Sequence, residues 1–379
     1  MTGAARRVLV VQRRMTHYRV DFFEALRREL PRHGVELVLA YGDPMPDETA
    51  KKDGAELPWA HRLPTRYLLG SKLCWQPFAP LMAGCDAVVL TPENKLLNNL
   101  GAQFLQRRSR VVFWGHGANL QAARATLAER YKRWLARHVD WWFAYTARSR
   151  PLIQRSGFPD ERITVLNNAV DTAALVRQFA LARDPQRMAA SRRRFGVGGT
   201  RVGTYVGSLF PDKRPAMLLE AARAIRARVP DFELLVCGDG ADAPMVEAFC
   251  REHAWAHYAG VVKGQDKADA LAISRVLLSP GAVGLGVLDS FACALPLVTT
   301  DCGRHGPEIA YVTNGVNGVL SADRTEAFVD AAVGLLVDDT AHARLVERCA
   351  ASAGEYTLER MVQNFARGVV ACLEAPRWR

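Results

Sequence analysis

Short runs of apolar residues typical of strands alternate with helical patterns along almost the whole chain. Six runs in the first half predict strands, at 7–12, 35–40, 86–90, 110–114, 141–145 and 162–166. Between them, apolar residues recur at helical spacing, as they do over 21–30. Strands that are apolar throughout and separated by helices are typical of a parallel sheet covered on both faces. The sequence therefore predicts an α/β fold.

The alternation stops over 184–200, where a run of arginines is followed by three glycines. It resumes with strand-like runs at 201–206, 232–237, 275–279, 296–300 and 318–320. We interpret 184–200 as a linker, because 379 residues suit two α/β domains better than one core. The predicted domains are 1–185 and 186–355, followed by a terminal helical segment at 356–379.

The net charge of +11 is unevenly distributed. Residues 1–200 hold 32 Lys and Arg against 17 Asp and Glu, whereas residues 201–379 hold 18 against 22. A basic first half suggests an anionic partner, such as a membrane surface, a phosphate-bearing acceptor or nucleic acid. Arginines that simply face solvent are the alternative. Nucleic acid is disfavoured because no aromatic residues are interleaved with the basic ones as stacking platforms.

The sequence also predicts a cytoplasmic location. No apolar run approaches the roughly 20 residues of a membrane-spanning helix, and the apolar run after Arg6 and Arg7 is too short for a signal peptide. The eight cysteines are scattered without a Cys-x-x-Cys pair, as reduced thiols usually are. Peripheral attachment to the inner face of the cytoplasmic membrane is left open.

Several common catalytic motifs are missing. No glycine lies between Gly3 and Gly34, so the turn after the first strand lacks a dinucleotide-binding fingerprint. The sequence contains no Walker-type Gly-Lys-Ser/Thr and no Gly-x-Ser-x-Gly elbow. Nor does it contain an Asp-x-Asp cluster that would hold Mg²⁺ or Mn²⁺. These absences disfavour hydride transfer, ATP hydrolysis and serine hydrolysis.

In the second half, glycine-containing turns follow three predicted strands. The segment YVGSLFPDKR places Gly207 where a backbone can approach a ligand, and Lys213 where a cation can meet a diphosphate. A second turn is CGDG at 237–240. In the segment SPGAVGLGVLD, a glycine-rich loop leads into a helix whose first turns contain Asp289, a carboxylate suited to a ribose diol. Each segment alone is also explained by an ordinary strand–turn–helix connection.

Taken in order, six segments of the second half resemble the retaining glycosyltransferases of family 4, also called group 1 glycosyltransferases. The segments are VGSLFPDK, LLVCGDG, YAGVV, SPGAVGLGVLDSFACALPLVTTD, GPEI and NGVNGVL, and FWGHG and VLNNAVDT extend the likeness into the first half. The resemblance implies the α/β GT-B fold, with two Rossmann-like domains facing across a central cleft. The first would bind the acceptor and the second the nucleotide sugar, and the terminal helix would cross back to the first.

The resemblance also implies roles for individual residues. Lys213 would contact the donor diphosphate, Asp289 the ribose hydroxyls and His116 the transferred sugar, and these three are the predicted catalytic residues. The other predicted donor-binding residues line the diphosphate, sugar and base: Gly207, Ser208, Asp239, Gly240, Val261, Val262, Gly284, Leu285 and Gly286.

The second half departs from the family pattern at three positions. Gly281 stands where relatives have the first of two glutamates, and Asp289 shortens the second. Ser208 replaces a basic residue, so that Lys213 or Arg214 would carry more of the diphosphate charge. These changes mark either a subgroup with altered sugar recognition or a weakened enzyme, and we favour the subgroup.

The first half departs from the pattern as well. His17, Tyr18 and Arg19 occupy a loop where many relatives have paired glycines, and we predict that Tyr18 and Arg19 contact phosphate or hydroxyl groups of the acceptor. The stretch 67–78 mixes large apolar groups with Lys72 and includes Trp75, a further predicted acceptor contact. It is interpreted either as a membrane-facing surface or as a buried helix of the first domain.

The expected activity is metal-independent transfer of a hexose-type sugar, with retention, from a GDP- or UDP-sugar. The expected acceptor is a glycan or a polyprenyl-diphosphate-linked glycan of bacterial surface polysaccharide biosynthesis. Beyond the donor no cofactor is expected. The alternatives are a catalytically silent, sugar-nucleotide-binding homologue with a scaffolding role, and a GT-B epimerase or phosphorylase-like enzyme.

Overall fold

A computed structural model describes residues 5–49, 53–105, 108–117 and 127–378. The strands are β1 Arg6–Gln12, β2 Val35–Tyr41, β3 His61–Arg62, β4 Arg66–Leu68, β5 Leu73–Trp75, β6 Ala87–Leu90, β7 Arg110–Gly115, β8 Trp141–Ala144, β9 Ile163–Val165, β10 Arg201–Val206, β11 Phe232–Cys237, β12 Ala256–Gly260, β13 Val276–Ser279, β14 Leu297–Thr300 and β15 Val319–Ser321. The helices are α1 His17–Glu29, α2 Pro46–Thr49, α3 Ala79–Met82, α4 Leu97–Phe104, α5 Leu127–Arg137, α6 Ser149–Gln154, α7 Ala173–Ala182, α8 Pro185–Phe195, α9 Pro215–Arg228, α10 Ala243–Glu252, α11 Gly264–Ala272, α12 Gly286–Ala292, α13 Thr325–Val337, α14 Asp339–Ala353 and α15 Leu358–Glu374.

Two parallel sheets organise the fold. The first has the strand order β3-β2-β1-β6-β7-β8-β9, and the second has the order β12-β11-β10-β13-β14-β15. Counted within each sheet, both begin with the Rossmann order 3-2-1-4-5-6. The predicted α/β class with two Rossmann-like sheets is therefore confirmed. The central strands are mainly apolar and buried, as is typical of a parallel sheet with helices on both faces, whereas the edge strands β3 and β12 are more polar.

The segment predicted as a linker is a helix instead. The Asp184 side chain accepts hydrogen bonds from the backbone N–H groups of Gln186 and Arg187 at 3.0 Å, which caps the start of α8. Gly196 ends α8 in the left-handed conformation, at φ 74°. The glycines that suggested flexibility are thus the C-terminal stop of a capped helix.

The chain divides into two compact units, one formed by residues 1–170 and 358–379 and the other by residues 171–357. The division lies before α7, whereas the boundary predicted from the sequence lies at 185/186. The difference arises because α7 packs against α11 of the second unit. In addition, Arg187 of α8 forms an ion pair with the buried Asp269 of α11, with Nε and Oδ1 2.8 Å apart.

Helix α15 completes the core of the first unit. Phe365 packs against Phe22, Trp114 and Phe143, with ring centroids 5.6, 5.3 and 4.5 Å away. Burying aromatic rings against one another is among the larger contributions to a hydrophobic core. The surplus C-terminal segment is therefore an integral part of the first unit.

The stretch 67–78 forms a hairpin rather than a buried helix. Strands β4 and β5 pair antiparallel, and the connection between them exposes Leu68 (46%) and Leu69 (73%). Trp75 is 36% exposed and lies under the guanidinium of Arg66, 5.6 Å from its ring centroid. The buried-helix interpretation is wrong. None of the helices in the described ranges combines the length and apolar character needed to cross a membrane.

Candidate functional site

The donor-binding residues predicted in the second unit all follow the carboxyl ends of its parallel strands. In this sheet β10 lies between β11 and β13, so the connections after β10 and β13 leave toward opposite sides of the sheet. Such a switch point opens a crevice beyond the strand ends, where open α/β sheets bind their ligands. Lys213 follows β10, and the glycine-rich loop 280–285 follows β13.

Lys213 and the glycine-rich loop are in direct contact at this switch point. The Lys213 ammonium donates a hydrogen bond to the carbonyl oxygen of Ala282. In return, the backbone N–H of Ala282 donates to the carbonyl oxygen of Asp212 at 2.9 Å. The Lys213 side chain is 24% exposed. The two segments predicted to meet the donor diphosphate are therefore joined by reciprocal bonds, with the cation half-buried between them.

Gly281 makes this contact sterically possible. A Cβ atom at position 281 would lie 2.3 Å from the carbonyl carbon of Lys213 and 2.6 Å from the carbonyl oxygen of Asp212. These are backbone atoms, which cannot move aside as a flexible side chain would. The absence of the family glutamate at 281 is thus tied to the close approach of the Lys213 turn.

Of the two cations suggested for the diphosphate, Arg214 is already engaged. Its Nη2 donates to Oδ2 of Asp323 at 3.1 Å, and a second bond joins the same two side chains. Asp323 also accepts a hydrogen bond from the Thr300 hydroxyl at 3.2 Å. This network joins the end of β14 to the segment before α9, and it leaves Lys213 as the better-placed cation.

The turns after β10 and β11 are packed backbone against backbone. Gly238 adopts φ 151°, and a Cβ atom there would lie 1.7 Å from the carbonyl oxygen of Gly207, so only glycine fits. The backbone N–H of Leu209 donates to the carbonyl oxygen of Asp239 at 2.8 Å. The Asp239 carboxylate accepts the N–H of Gly240 at 2.8 Å. Gly207, Asp239 and Gly240 therefore lie together, and their contact with the donor nucleotide stays a prediction.

Two further predicted residues follow β12, the strand that the periodicity analysis missed. The backbone N–H of Gly238 donates to the carbonyl oxygen of Gly260 at 2.7 Å, which brings this third turn beside the second. Val261 is 59% exposed and Val262 is half-buried.

Ser208, which follows β10, is exposed, and its carbonyl oxygen accepts a hydrogen bond from the Tyr205 hydroxyl at 2.7 Å. The roles given to these residues stay predictions.

Asp289 has a cationic partner that the sequence did not indicate. Its Oδ2 lies 2.7 Å from the Nζ of Lys267 on α11, and both side chains are roughly three-quarters buried. The positions are 22 residues apart on different helices, so no local sequence pattern links them. The carboxylate keeps acceptor capacity on its other oxygen, and Lys267 adds a second cation to the side of the crevice that holds Asp289.

We predict that Asp289→Ala weakens nucleoside diphosphate binding about tenfold, the value of one charge-assisted hydrogen bond. Calorimetric titration of the variant with UDP and GDP measures the loss. If Lys267 acts only by orienting Asp289, Lys267→Ala should weaken binding in the wild-type background and have no further effect in the Asp289→Ala background. Wild-type affinity in Asp289→Ala would refute the ribose contact.

The loop after β14 also contacts the glycine-rich loop, through His305. His305 Nδ1 accepts the backbone N–H of Val283 at 3.1 Å, while its Nε2 lies 2.6 Å from the carbonyl oxygen of Thr300. These two contacts fit the tautomer that carries its proton on Nε2. Glu308 is 4% exposed, with its carboxylate beside Gly284 and Gly306. Neither residue was singled out from the sequence.

In the first unit, His116 follows β7 and borders a cavity of about 300 Å³. The lining is mainly apolar and aromatic, and it includes Phe113, Tyr131, Leu135, Trp142 and Tyr145. The His116 and Tyr145 rings lie edge to face, with centroids 6.0 Å apart. The role of His116 toward the transferred sugar stays a prediction.

Metal participation is a separate question. Within the ranges that the structure describes, no three His, Cys, Asp or Glu side chains come together as metal ligands would. The expectation that no metal takes part stays a prediction, and so does the absence of a cofactor beyond the donor.

Residues 200–338, which include nearly all of the predicted donor-binding positions, match the sequence model of the family described as "Glycosyl transferases group 1". Two curated relatives are each 28% identical. One is the GDP-mannose-dependent alpha-(1-6)-phosphatidylinositol monomannoside mannosyltransferase of Mycolicibacterium smegmatis, matched over 42% of this chain and 44% of the relative. The other is the glycogen synthase of Mycobacterium tuberculosis, matched over 74% of this chain and 65% of the relative. The chain therefore spans about half to two thirds of the length of these proteins.

Solved structures match over nearly the full length. HepE of Anabaena, crystallised with UDP, has a TM-score of 0.67 at 14% identity, covering 96% of this chain and 99% of that one. A glycosyltransferase of Rickettsia africae has a TM-score of 0.70 at 14% identity, covering 99% and 100%. Likeness at this identity establishes the fold, and it confirms the predicted GT-B class.

Proposed function

We propose that the chain is a retaining, metal-independent glycosyltransferase that uses a nucleoside diphosphate sugar as donor. The observation that carries the proposal is the Lys213 ammonium bonded to Ala282 at the switch point of the second sheet. It lies within the segment that matches the group 1 glycosyl transferases. A partly buried ammonium beside a glycine-rich loop is suited to a diphosphate, since both the ammonium and the loop N–H groups can donate hydrogen bonds to phosphate oxygens.

In this reaction the protein would stabilise the diphosphate as it leaves the sugar. As the bond between the anomeric carbon and the phosphate oxygen breaks, negative charge grows on the diphosphate, and Lys213 offsets it. The acceptor hydroxyl forms the new bond on the same face of the sugar and passes its proton to the departing phosphate oxygen. This route retains the anomeric configuration and needs no protein nucleophile. Asp289 would hold the ribose, and Lys267 would orient its carboxylate.

For the donor we propose a GDP- or UDP-sugar. We also propose that the chain is one of the family 4 enzymes that its sequence resembles. One relative is named as GDP-mannose-dependent and one structural neighbour was crystallised with UDP, so both bases are proposed. For the acceptor we propose a glycan or a lipid-linked glycan bound by the first unit, in bacterial surface polysaccharide biosynthesis.

Release of UDP or GDP from a panel of sugar nucleotides, with a bacterial membrane extract as acceptor source, tests the proposal. Acceptor-dependent release with an α-linked product from an α-linked donor is the expected result. Binding of a nucleotide sugar without turnover, for every donor in the panel, would instead identify a silent sugar-nucleotide-binding homologue. A product of inverted configuration would contradict the front-face route.

We also propose peripheral contact between the first unit and an anionic membrane. The hairpin formed by β4 and β5 exposes Leu68 and Leu69, with the exposed cations Arg66 and Lys72 beside them. Apolar groups flanked by cations are suited to the boundary between lipid headgroups and acyl chains. A second exposed aromatic surface lies on α5, where Trp134 stacks on Phe104 of α4 with ring centroids 5.0 Å apart.

We predict that the double variant Leu68→Glu/Leu69→Glu lowers affinity for phosphatidylglycerol-containing vesicles at least ~10-fold, because two inserted side chains become charged. Vesicle flotation measures it, with pure phosphatidylcholine vesicles as the neutral comparison. The matched control is Val176→Glu/Leu181→Glu, since Val176 and Leu181 are similarly exposed, at 44% and 61%, on α7 of the other unit. Equal loss in both variants would show a general charge effect and contradict the hairpin contact.

A further inference from the structure

Arg19 is a buried arginine that has no counter-ion among the residues that the structure describes. It lies in the first turn of α1, directly after β1, and is only 7% exposed. Among the residues that the structure describes, no carboxylate and no hydrogen-bond acceptor pairs with its guanidinium. Most buried charges in proteins are paired, because an unpaired one loses its hydration without compensation.

Three aromatic rings surround this guanidinium. Its carbon lies 4.8 Å from the ring centroid of Trp114, 5.5 Å from that of Tyr145 and 5.7 Å from that of Tyr18. Cation–π contacts of this kind stabilise the charge and fix the plane of the group. Aromatic rings are not hydrogen-bond acceptors of the ordinary kind, so within the described ranges the five N–H donors keep their capacity for an anion. The aromatic residues therefore hold the guanidinium in place without neutralising it.

The surroundings of Arg19 favour negative charge further. Helix α1 has 13 residues, carries no acidic residue in its first turn, and has no side-chain cap from Thr16. The backbone N–H groups of His17 and Arg19 donate to the carbonyl oxygens of Asp53 and Thr16, at 2.9 and 3.0 Å, so carbonyl oxygens and no acidic residue of the first turn meet the N-terminal end of its dipole. The indole N–H of Trp114 is also buried and lacks an acceptor among the described residues. A helix end and a buried guanidinium thus lie at one place, and within the described ranges no carboxylate pairs with the guanidinium.

The location agrees with a substrate-binding role. The Tyr145 ring that contacts Arg19 also contacts His116, with the two ring centroids 6.0 Å apart. Both rings lie at the carboxyl edge of the first sheet, where α/β folds bind ligands.

The two arginines that follow β1 differ from Arg19 because both have a carboxylate partner. Arg13 pairs with Glu48, and Arg14 pairs with Asp53. Arg19 is the member of this group whose charge is left for a ligand.

We propose that Arg19, held by Trp114, Tyr145 and Tyr18 at the start of α1, binds a phosphate group of the acceptor. The assignment of the bound molecule as the acceptor rests on the proposed glycosyltransferase function, whereas the anion site itself does not. The guanidinium would donate two parallel hydrogen bonds to phosphate oxygens, and the start of α1 would face the same charge. The substrate class is then a phosphorylated sugar or a lipid-linked glycan phosphate.

Titration with inorganic phosphate tests the site without sugar transfer. It is carried out in a Lys213→Ala/Asp289→Ala background, so that the predicted donor site contributes little. We expect Arg19→Gln to raise the Kd for phosphate at least tenfold and Arg19→Lys to give an intermediate value. Arg27→Gln is the matched control, because Arg27 lies on the same helix and covers the Trp59 ring at 4.5 Å. The phosphate affinity of Arg27→Gln should equal that of the parent double variant. If Arg19→Gln also bound phosphate with the parent's affinity, the proposal would be overturned.

A second measurement needs no substitution and so covers the case in which Arg19→Gln fails to fold. Phenylglyoxal modifies accessible arginines, and peptide mass spectrometry reports each one in the folded wild-type protein. Phosphate should slow modification of Arg19 and leave that of Arg27 unchanged, while acetate protects Arg19 less. Equal rates at Arg19 with and without phosphate would refute the site, and so would an Arg19 that is not modified at all, because a guanidinium closed to the reagent is also closed to an acceptor phosphate. Protection by phosphate in a protein that transfers no sugar would uphold the anion site and reject the glycosyltransferase function.

Discussion

Lys213→Ala is expected to reduce turnover about 100- to 1,000-fold, the usual effect of removing one preorganised donor that meets charge developing in a transition state. The Lys213 ammonium touches Ala282 of the glycine-rich loop, at the crevice beyond β10 and β13. The loss should fall on kcat, with a smaller rise in the KM for the donor, because the diphosphate is more negative when it departs than when it binds. Initial rates of nucleotide release over a range of donor concentrations separate the two.

Stability should change little in this variant. The lost contact is one partly exposed bond to a backbone carbonyl, worth about 1 kcal/mol. Arg193→Ala is the control, since Arg193 is an exposed cation of the same unit on α8, and its turnover should be unchanged. Lys213→Arg should recover part of the activity because it keeps the charge. Unchanged kinetics in Lys213→Ala would show that another group stabilises the diphosphate.

Much of the fold follows from periodicity, because each sheet is buried on both faces and its strands are apolar runs. The short strand β12 was missed, since His257 and Tyr258 interrupt its apolar character. His257 is explained by its partner, for its Nε2 lies 2.8 Å from Oε2 of Glu233 on the neighbouring strand β11. The interpretation of 184–200 failed for a related reason. Composition cannot distinguish a glycine that ends a capped helix from one in a linker.

The sequence can propose those residues of the candidate site that lie just after predicted strands along the chain. Lys213 and Asp289 were identified because a cation and a carboxylate occur at characteristic distances from strand ends and glycines. Lys267 could not be found in this way, since its ion pair with Asp289 joins two helices. For the same reason the sequence named Arg214 beside Lys213 as a possible cation for the diphosphate without showing that Arg214 pairs with Asp323.

Gly281→Ala is expected to destabilise the second unit by about 1–3 kcal/mol, the usual cost of overpacking, and to lower turnover as well. The added Cβ would meet the Lys213 carbonyl carbon at 2.3 Å. One of the two loops must therefore move, and the bonds that join Lys213 and Asp212 to Ala282 would be lost with that movement. Chemical denaturation gives the stability, and nucleotide release gives the rate. A Gly281→Ala protein with wild-type stability and turnover would contradict the close contact.

Gly334→Ala is the matched control, because a Cβ at position 334 meets nothing within 4 Å inside α13 of the same unit. It should stabilise the protein by roughly 0.5–1 kcal/mol, through helix propensity, and leave turnover unchanged. Gly281→Glu, which restores the residue that the family pattern has at this position, should be at least as harmful as Gly281→Ala. If the family glutamate raised activity instead, Gly281 would be the mark of a weakened enzyme. If it lowers activity, the glycine belongs to a subgroup in which close backbone packing against Lys213 replaces a carboxylate contact to the sugar.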